Sequence, residues 1–187
     1  MSIDELLDQI HLLPESSKTL FVEHFVEKKV RKGDLILKAE YTEKHIYFIK
    51  KGIVRAYSPM PNQDITFYFG EEGDVIISMN SYVTKNKGYE NIEALENCTL
   101  YELSSDILDQ LYQQDIHIAN WGRKFAEREL LKTEQRFIDR LIGTSTERYL
   151  KFMKNHPTLL QRVALGYIAS YLGITQVSLS RIRSEIK

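Results

Sequence analysis

The chain has 187 residues, with 25 Lys and Arg, 26 Asp and Glu and a formal net charge of −1. This length allows one large domain or two small ones. The single cysteine, Cys98, excludes an internal disulfide, and no apolar run is long enough to span a bilayer. The first residues, MSIDELLDQIHLL, are acidic and amphipathic, unlike a signal peptide. We therefore expect a cytoplasmic protein with no membrane partner.

The charge is unevenly distributed along the chain. Residues 1–139 carry 17 Lys and Arg against 24 Asp and Glu, a balance of −7, whereas residues 140–187 carry 8 against 2, a balance of +6. A phosphate backbone attracts a clustered positive surface and repels an acidic one. Only the C-terminal part of the chain is therefore suited to nucleic acid.

The first half of the sequence predicts two short helices followed by a β-rich segment. The helices lie within residues 3–27 and are separated at Pro14, which can open the second one. From about Val30 to Leu103, short runs of Ile, Val, Tyr and Phe are separated by glycines and turn signals, as in a small antiparallel barrel or roll. The candidate strands are residues 34–38, 45–50, 54–58, 65–69, 75–77, 92–95 and 99–103.

Helical spacing returns at Ser105, first in a short helix to about Gln113 and then in a long helix from about Asp115 to Ile142. At ~1.5 Å per residue the long helix would extend roughly 40 Å, more than a small β-domain covers. Two apolar rows follow its C-terminal half. Their members are Ala126, Leu130, Phe137 and Leu141 in one row and Leu131, Ile138 and Ile142 in the other.

One of these rows can pack on its own domain, which leaves the other for a second copy of the helix. Trp121 and Phe125 extend this face toward the N-terminus of the helix. We therefore predict a homodimer whose contacts include Trp121, Phe125, Leu131 and Ile138. The alternative is that the whole face is intrachain core. Residues 143–146 then break the helix as a hinge, with Ser145 or Thr146 capping a helix over 147–154.

Residues 164–187, ALGYIASYLGITQVSLSRIRSEIK, predict a helix-turn-helix that ends in a basic helix. Gly173 would supply the positive φ that ends the first helix, and Thr175 can cap the second. The apolar positions that would face the core are Ile168, Ala169, Leu172, Leu179 and Ile182. The alternative is a purely structural helix pair.

The opposite face of the second helix could enter a major groove. We expect Arg181 to be the main reader of bases, with Gln176 and Ser178 assisting, and Arg183 and Lys187 to meet phosphates. The full set of candidate DNA-binding residues is Thr175, Gln176, Ser178, Ser180, Arg181, Arg183 and Lys187.

This order of elements resembles the Crp/Fnr family of bacterial transcription regulators over nearly the whole chain. In the β-rich segment the resemblance is carried by Lys32-Gly33-Asp34, by residues 49–55 (IKKGIVR), by residues 72–74 (EGD) and by residues 94–100 (ALENCTL). It implies an α+β fold, with an N-terminal antiparallel β-roll of the cyclic-nucleotide-binding jelly-roll type and flanking helices. A long dimerisation helix and a C-terminal helix-turn-helix domain would follow. The corresponding divisions are residues 1–114, 115–142 and 143–187.

The resemblance also implies a function. The chain would be a homodimeric, sequence-specific DNA-binding transcription regulator, with double-stranded DNA as its partner and RNA polymerase as a candidate partner. We find no nucleophile paired with a base, no metal-spaced His, Cys and Asp set and no Walker-type phosphate loop, so we expect no enzymatic activity. The family's wing, a β-hairpin after the recognition helix, has no counterpart in the five residues that follow Ile182.

The sequence departs from family members that bind cyclic nucleotides. Those members carry a Gly-Glu pair for the ribose and an Arg-Ser or Arg-Thr pair for the phosphate, where this chain has Ile77-Ser78 and Gly88-Tyr89. A cyclic phosphate would lose its guanidinium partner and meet Glu90 instead, so binding of cyclic AMP in the usual manner is not expected.

We expect no cofactor and no metal. Iron–sulfur members of the family use several N-terminal cysteines, whereas this chain has only Cys98, which is better explained as a small buried residue. No histidine lies within a haem motif. Two alternative functions remain: a sensor of another small molecule that gates DNA binding, or a protein-interaction module that has lost DNA binding. A sensor pocket could be lined by Ser78, Asn80, Tyr82 and Tyr89.

Overall fold

The computed structural model describes residues 1–186, so Lys187 lies outside the described residues. Two antiparallel sheets form a jelly roll, with helices before and after it. The strands are β1 (Val26–Val30), β2 (Leu35–Leu37), β3 (His45–Lys51), β4 (Val54–Ser58), β5 (Ile65–Gly70), β6 (Val75–Ile76), β7 (Asn91–Ala94) and β8 (Cys98–Ser104). The helices are α1 (Ile3–Ile10), α2 (Glu15–Val22), α3 (Met79–Thr84), α4 (Ser105–Gln114), α5 (Ile116–Ile142), α6 (Ser145–Asn155), α7 (Leu159–Arg162), α8 (Leu165–Leu172) and α9 (Gln176–Glu185).

The strand order is β1-β8-β3-β6 in the first sheet and β2-β7-β4-β5 in the second. Alternate residues of both sheets point inward and meet in one apolar core, with Ile49 and Leu100 from the first sheet and Val54 and Ile92 from the second. The predicted fold class, an antiparallel jelly roll with flanking helices and a long helix, is therefore confirmed.

Strand β1 is absent from the sequence prediction, which extended the N-terminal helical segment to residue 27. It pairs antiparallel with β8, from Val26 opposite Glu102 to Val30 opposite Cys98. The segment VEKKV lies at the edge of the sheet and exposes most of its side chains, so it lacks the alternation of apolar residues that marks a half-buried strand. Its pairing depends on β8, which is distant in sequence.

The first half of the long helix α5 packs on the N-terminal helices through Trp121. This indole is 1% exposed, and its ring meets Phe21 edge-on at 5.1 Å and stacks on Phe125 at 5.9 Å. Its Nε1 donates a hydrogen bond of 2.9 Å to the carbonyl oxygen of Leu7. The prediction that Trp121 faces a second copy is therefore wrong, because its neighbours lie within the same chain. Phe125 is half-buried against the same core.

The sequence analysis missed two short helices and misplaced one helix cap. The sequence did not predict α3 or α7, which are single short segments without long apolar periodicity. Helix α6 is capped by Thr144 rather than by Ser145 or Thr146. The Thr144 hydroxyl accepts from the Glu147 amide, and the Glu147 carboxylate accepts from the Thr144 amide, a reciprocal capping box.

Within residues 1–186, none of the helices has the length and apolar character needed to cross a membrane.

Trp121→Phe should lower the free energy of unfolding by about 1–3 kcal/mol, because it removes the indole hydrogen bond to the Leu7 carbonyl, which keeps only the His11 amide as donor, and opens space in the core. Urea unfolding followed by circular dichroism measures this change. The control Leu12→Ala, at a position that is 73% exposed, should shift the unfolding free energy by less than about 0.5 kcal/mol. An unchanged midpoint for Trp121→Phe would contradict the anchoring role of the indole.

Candidate functional site

The C-terminal helix pair has the local geometry that the sequence predicts. Gly173 has φ +68° and ends α8, where its amide bonds back into the last turn of the helix. The Thr175 hydroxyl accepts from the amide of Ser178 at 3.1 Å and caps α9. The predicted core positions are all buried: Ile168, Ala169, Leu172, Leu179 and Ile182.

The outward face of α9 is exposed and predominantly polar. It includes Gln176, Ser178, Ser180, Arg181 and Arg183, all of which were predicted for this face. These side chains share one side of a helix whose other side is fixed in the core, an arrangement that can enter a DNA groove. Lys187, the last predicted contact, lies outside the described residues.

Two features of this face were missed by the sequence analysis. Val177 is 81% exposed in the first turn of α9, so it places an apolar group among the polar ones. The Arg181 guanidinium forms an exposed ion pair with Glu185, with Nε 3.0 Å from Oε1. The i,i+4 spacing of an arginine and a glutamate was the sequence signal for this pair.

Much of the C-terminal positive charge is engaged within the chain rather than presented outward. Arg162 contacts the carboxylates of Glu72 at 2.8 Å and Glu96 at 2.5 Å, both in the β-roll. Lys151 pairs with Asp139 of α5 at 2.7 Å. The balance of +6 therefore overstates the charge available to a nucleic acid.

The Arg162 contacts are part of a polar interface that fixes α7 against the β-roll. The hydrogen bond from Arg162 is the main cause that lowers the pKa of Glu72 from 4.5 to about 2. Because the pKa is depressed in the docked state, the pair supports docking above pH 4.5 and loses that contribution as the pH falls toward 2. The His156 ring also lies 2.9 Å from Oε1 of Glu71 and lowers the pKa of that carboxyl.

A second set of contacts fixes α8 on strands β4 and β5. Arg55 is 3% exposed, and its guanidinium lies between the rings of Tyr57 at 4.0 Å and Tyr167 of α8 at 3.9 Å. It also lies 2.8 Å from a carboxylate oxygen of Asp64 and 2.9 Å from one of Glu93. A buried cation thus connects the β-roll to the helix pair.

The candidate ligand pocket brings together Ser78, Gly88 and Glu90. A Cβ added at Gly88 would lie 2.8 Å from the Ser78 Oγ and 3.5 Å from both carboxylate oxygens of Glu90. Ser78 and Glu90 are buried, and the Ser78 hydroxyl donates to that of Ser81 at 3.2 Å. One Glu90 oxygen accepts from the amide of Tyr89 at 3.0 Å. The centre of this site therefore presents a carboxylate and no cationic side chain.

The other predicted pocket residues lie around this site rather than in it. The Asn80 amide donates to the carbonyl of Lys87 and closes the loop that follows α3. The Tyr82 hydroxyl donates to Asp109 of α4 at 2.9 Å, so this side chain is directed away from Ser78. Tyr89 is exposed. Of the predicted set, Ser78 alone lies at the centre of the site.

Cys98 is buried where β8 begins and does not have the environment of a reactive thiol. Burial is the main cause that raises its pKa to about 11, so the neutral thiol predominates near neutral pH. Among residues 1–186, no group of three or more His, Cys, Asp or Glu side chains is arranged to hold a metal ion.

The C-terminal half of α5 exposes both apolar rows. We expected one row to pack on the chain's own domain, and that expectation is wrong. The roll contacts mainly the first half of the helix, and the second half extends beyond it. The exposed apolar residues are Leu130, Leu131, Phe137, Ile138, Leu141 and Ile142. We call this set the apolar face of α5.

Comparison with known proteins matches these elements to characterised folds. Residues 27–115 match the cyclic nucleotide-binding domain family. FixK2 from Bradyrhizobium japonicum is similar in structure, with a TM-score of 0.74 and 20% sequence identity over 87% of this chain and 84% of FixK2. A protein of Eubacterium rectale assigned to the Crp/Fnr regulators has a TM-score of 0.71 and 16% identity over 91% of this chain and 82% of its own. The chain has the Crp/Fnr fold.

A further protein with the Crp/Fnr fold is CLP from Xanthomonas campestris, described as a c-di-GMP responsive global regulator. It has a TM-score of 0.73 and 14% sequence identity over 92% of this chain and 91% of CLP. No curated protein matches the chain in sequence. The predicted resemblance to Crp/Fnr regulators is thus confirmed by the fold.

The resemblance to the Crp/Fnr family implies that Ser78 and Gly88 stand where cyclic-nucleotide-binding members carry the ribose glutamate and the phosphate arginine. The long helix offers Arg123 and Arg128 as possible replacements. Arg123 pairs with Glu127, however, and Arg128 donates to backbone carbonyls at the end of α1. Both guanidinium groups are therefore already engaged outside the site.

Cyclic AMP at about 1 mM should leave the amide signals of Ser78, Gly88 and Tyr89 unshifted in an NMR titration, because no guanidinium offsets the repulsion between its phosphate and Glu90. Cyclic GMP should behave in the same way. Saturable shifts at these amides that disappear in Arg123→Ala would show that an arginine of the long helix replaces the missing one.

Proposed function

We propose that the chain is a homodimeric, sequence-specific DNA-binding transcription regulator that acts without catalysis. The observation that carries this proposal is the exposed polar face of α9 on a capped helix whose opposite side is buried. We divide the chain into a sensor-type domain (residues 1–114), a dimerisation helix (115–142) and a helix-turn-helix domain (143–187). It would act in the cytoplasm, on double-stranded DNA and with RNA polymerase as a candidate partner.

In this proposal the side chains of α9 contact different bases of the DNA. Arg181 would donate two hydrogen bonds to O6 and N7 of a guanine, after exchanging its ion pair with Glu185 for the base. Gln176 and Ser178 would read neighbouring base edges from the first turn. The exposed methyl groups of Val177 suit contact with the methyl group of a thymine.

Phosphate contacts would fix the orientation of α9 on the duplex. Arg183 is exposed at the C-terminal end of α9, and Thr175 and Ser180 offer hydroxyl groups on the same exposed surface. Lys187 would add a further cation. Because Arg162 and Lys151 are occupied inside the chain, we expect a modest dependence of affinity on salt concentration.

Dimerisation would bury the apolar face of α5. Leu130, Phe137 and Leu141 lie within a narrow arc of the helix, with Leu131 and Ile138 beside them. A contiguous exposed apolar surface of this kind is typical of an association site. Two parallel copies would present their α9 helices to half-sites about one helical turn, roughly 34–36 Å, apart.

A second candidate function is a sensor of a small molecule other than cyclic AMP, with DNA binding as its output. It is favoured by the contacts between the β-roll and the helix pair, above all the buried Arg55 between Tyr57 and Tyr167. A change in the β-roll could move α8 through these side chains. CLP, which has the same fold, is described as responding to c-di-GMP. A protein-interaction module without DNA binding is the third candidate.

Arg181→Ala should weaken binding to the selected operator by ~1–3 kcal/mol and relax the preference at one base pair, because bidentate contacts to guanine are lost. Binding to a randomised duplex pool, followed by affinity measurements on the best site, tests this. Arg123→Ala, on an exposed arginine outside the interface, serves as the control and should leave affinity unchanged. An equal loss on all sequences would assign Arg181 to the phosphate backbone instead.

Leu130→Glu combined with Phe137→Glu should convert the dimer into a monomer, because the substitutions place like charges against their mates in a buried interface. Multi-angle light scattering at micromolar concentration measures this. Gln135→Glu adds the same charge to the same helix away from the centre of the apolar face and should leave the dimer intact. A monomeric wild type would refute dimerisation through α5.

A further inference from the structure

A cleft of about 560 Å³ opens between the second half of α5, strand β5 and helices α6 and α8. Its volume is within the range of ~300–1,000 Å³ that is typical of small-molecule sites. The residues that line it do not include Ser78, Gly88 or Glu90. It is therefore a different place from the ligand pocket of the β-roll, and it is bounded by all three parts of the chain.

The walls of the cleft carry an excess of positive charge. Five Lys and Arg residues line it, against the carboxylates of Asp74 and Asp139. Two of the cations are neutralised, because Lys132 pairs with Glu129 at 2.8 Å and Lys151 pairs with Asp139 at 2.7 Å. A third, Arg148, donates to the carbonyl oxygens of Gly143 and Leu172 and has a structural role.

The two other cations, Arg136 and Arg140, have no carboxylate partner among residues 1–186. They lie one turn apart on the same side of α5, where like charges destabilise a helix. The Arg140 guanidinium lies against Gly173, with Nη2 3.3 Å from the position of a Cβ there. An anion bound between Arg136 and Arg140 would offset the repulsion between the two guanidinium groups. It would also accept hydrogen bonds from the N–H groups of both.

The opposite wall of the cleft is aromatic. Tyr171 of α8 packs on Phe69 at 5.4 Å and on Phe152 at 5.5 Å, and the Arg136 guanidinium lies 5.5 Å from the centre of the Tyr68 ring. Phe69 and Phe152 are buried behind Tyr171, whereas Tyr171 and Tyr68 are half-buried, so the exposed parts of these two tyrosine rings can accept a planar ring by offset or edge-on packing. A ligand that fits both walls must carry a negative group at one end and a flat ring at the other.

The cleft and the apolar face of α5 share an edge at Leu131, which lines the cleft and also belongs to the apolar face. At 3.6 residues per turn, Lys132, Arg136 and Asp139 point away from the direction of Leu130 and Leu141. A second copy centred on Leu130 and Leu141 would therefore meet the rim of the cleft at Leu131 and leave Lys132, Arg136 and Asp139 uncovered. None of the residues that line the cleft belongs to α9.

We infer that this cleft binds a small organic phosphate that carries an aromatic ring, the chemistry of a nucleoside monophosphate. The phosphate accepts hydrogen bonds from the Arg136 and Arg140 guanidinium groups, and the ring packs against the half-buried rings of Tyr171 and Tyr68. The bound molecule joins the long helix to α8. This inference concerns the cleft alone and requires neither DNA binding nor dimerisation.

Isothermal titration of the full chain with 5′-AMP tests the inference. One molecule should bind per chain, and adenosine and ribose 5-phosphate should each bind at least tenfold more weakly, because each lacks one half of the recognised structure. Arg136→Gln and Arg140→Gln should each weaken 5′-AMP binding at least tenfold, and Arg140→Lys should have an intermediate effect. Arg123→Gln, at an exposed arginine of the same helix outside the cleft, is the control and should bind like the wild type.

Three results would overturn the inference: no heat of binding with millimolar 5′-AMP, equal binding of ribose 5-phosphate, or wild-type affinity in both glutamine variants. Binding that survives in Arg140→Gln but is lost in Ser78→Ala would assign the ligand to the β-roll and would also overturn it. Thermal unfolding of each variant shows whether the chain is folded. If a glutamine variant is unfolded, Arg140→Lys must still bind more weakly than the wild type.

Discussion

Trp121 is held from two directions, by ring packing against Phe21 and Phe125 and by the hydrogen bond from its indole nitrogen to Leu7. This anchoring fixes the first half of the long helix against the roll. The second half extends beyond the roll and is packed by no comparable core. It therefore presents an apolar face on one side and charged residues toward a cleft on the other, and both candidate sites on α5 result from this arrangement.

The C-terminal helices are attached to the roll by an apolar cluster, in which Phe69 packs on Phe152 and Tyr171, and by polar contacts around it. The Ser170 hydroxyl accepts from the Thr66 amide at 2.9 Å and donates to the Asp64 carbonyl at 3.0 Å, and the Arg55 guanidinium is buried against Tyr167. Removing one partner of a buried charge is costly, whereas an interface that separates as a whole rehydrates its groups.

The packing at the centre of the β-roll site depends on the absence of a side chain at Gly88. The absence of a side chain at Gly88 leaves room for the Ser78 hydroxyl, since a Cβ there would come within 2.8 Å of it. Restoring an arginine at position 88 would therefore require Ser78 to move, and the phosphate would still face Glu90. The close packing of Ser78, Gly88 and Glu90 therefore disfavours a cyclic phosphate by its shape as well as by its charge.

The sequence by itself determined the features that depend on near neighbours. The turn at Gly173, the cap at Thr175 and the buried positions of α8 and α9 follow from backbone preference and helical period, and the structure agrees with each. The tertiary structure alone decided which apolar rows are covered. Trp121 and Phe137 are both large apolar residues of α5, yet only Trp121 meets a core, because the sequence does not show which part of the chain covers each side of the helix. The same holds for β1, for the Arg162 ion pairs and for the cleft, since each brings together residues that are distant in sequence.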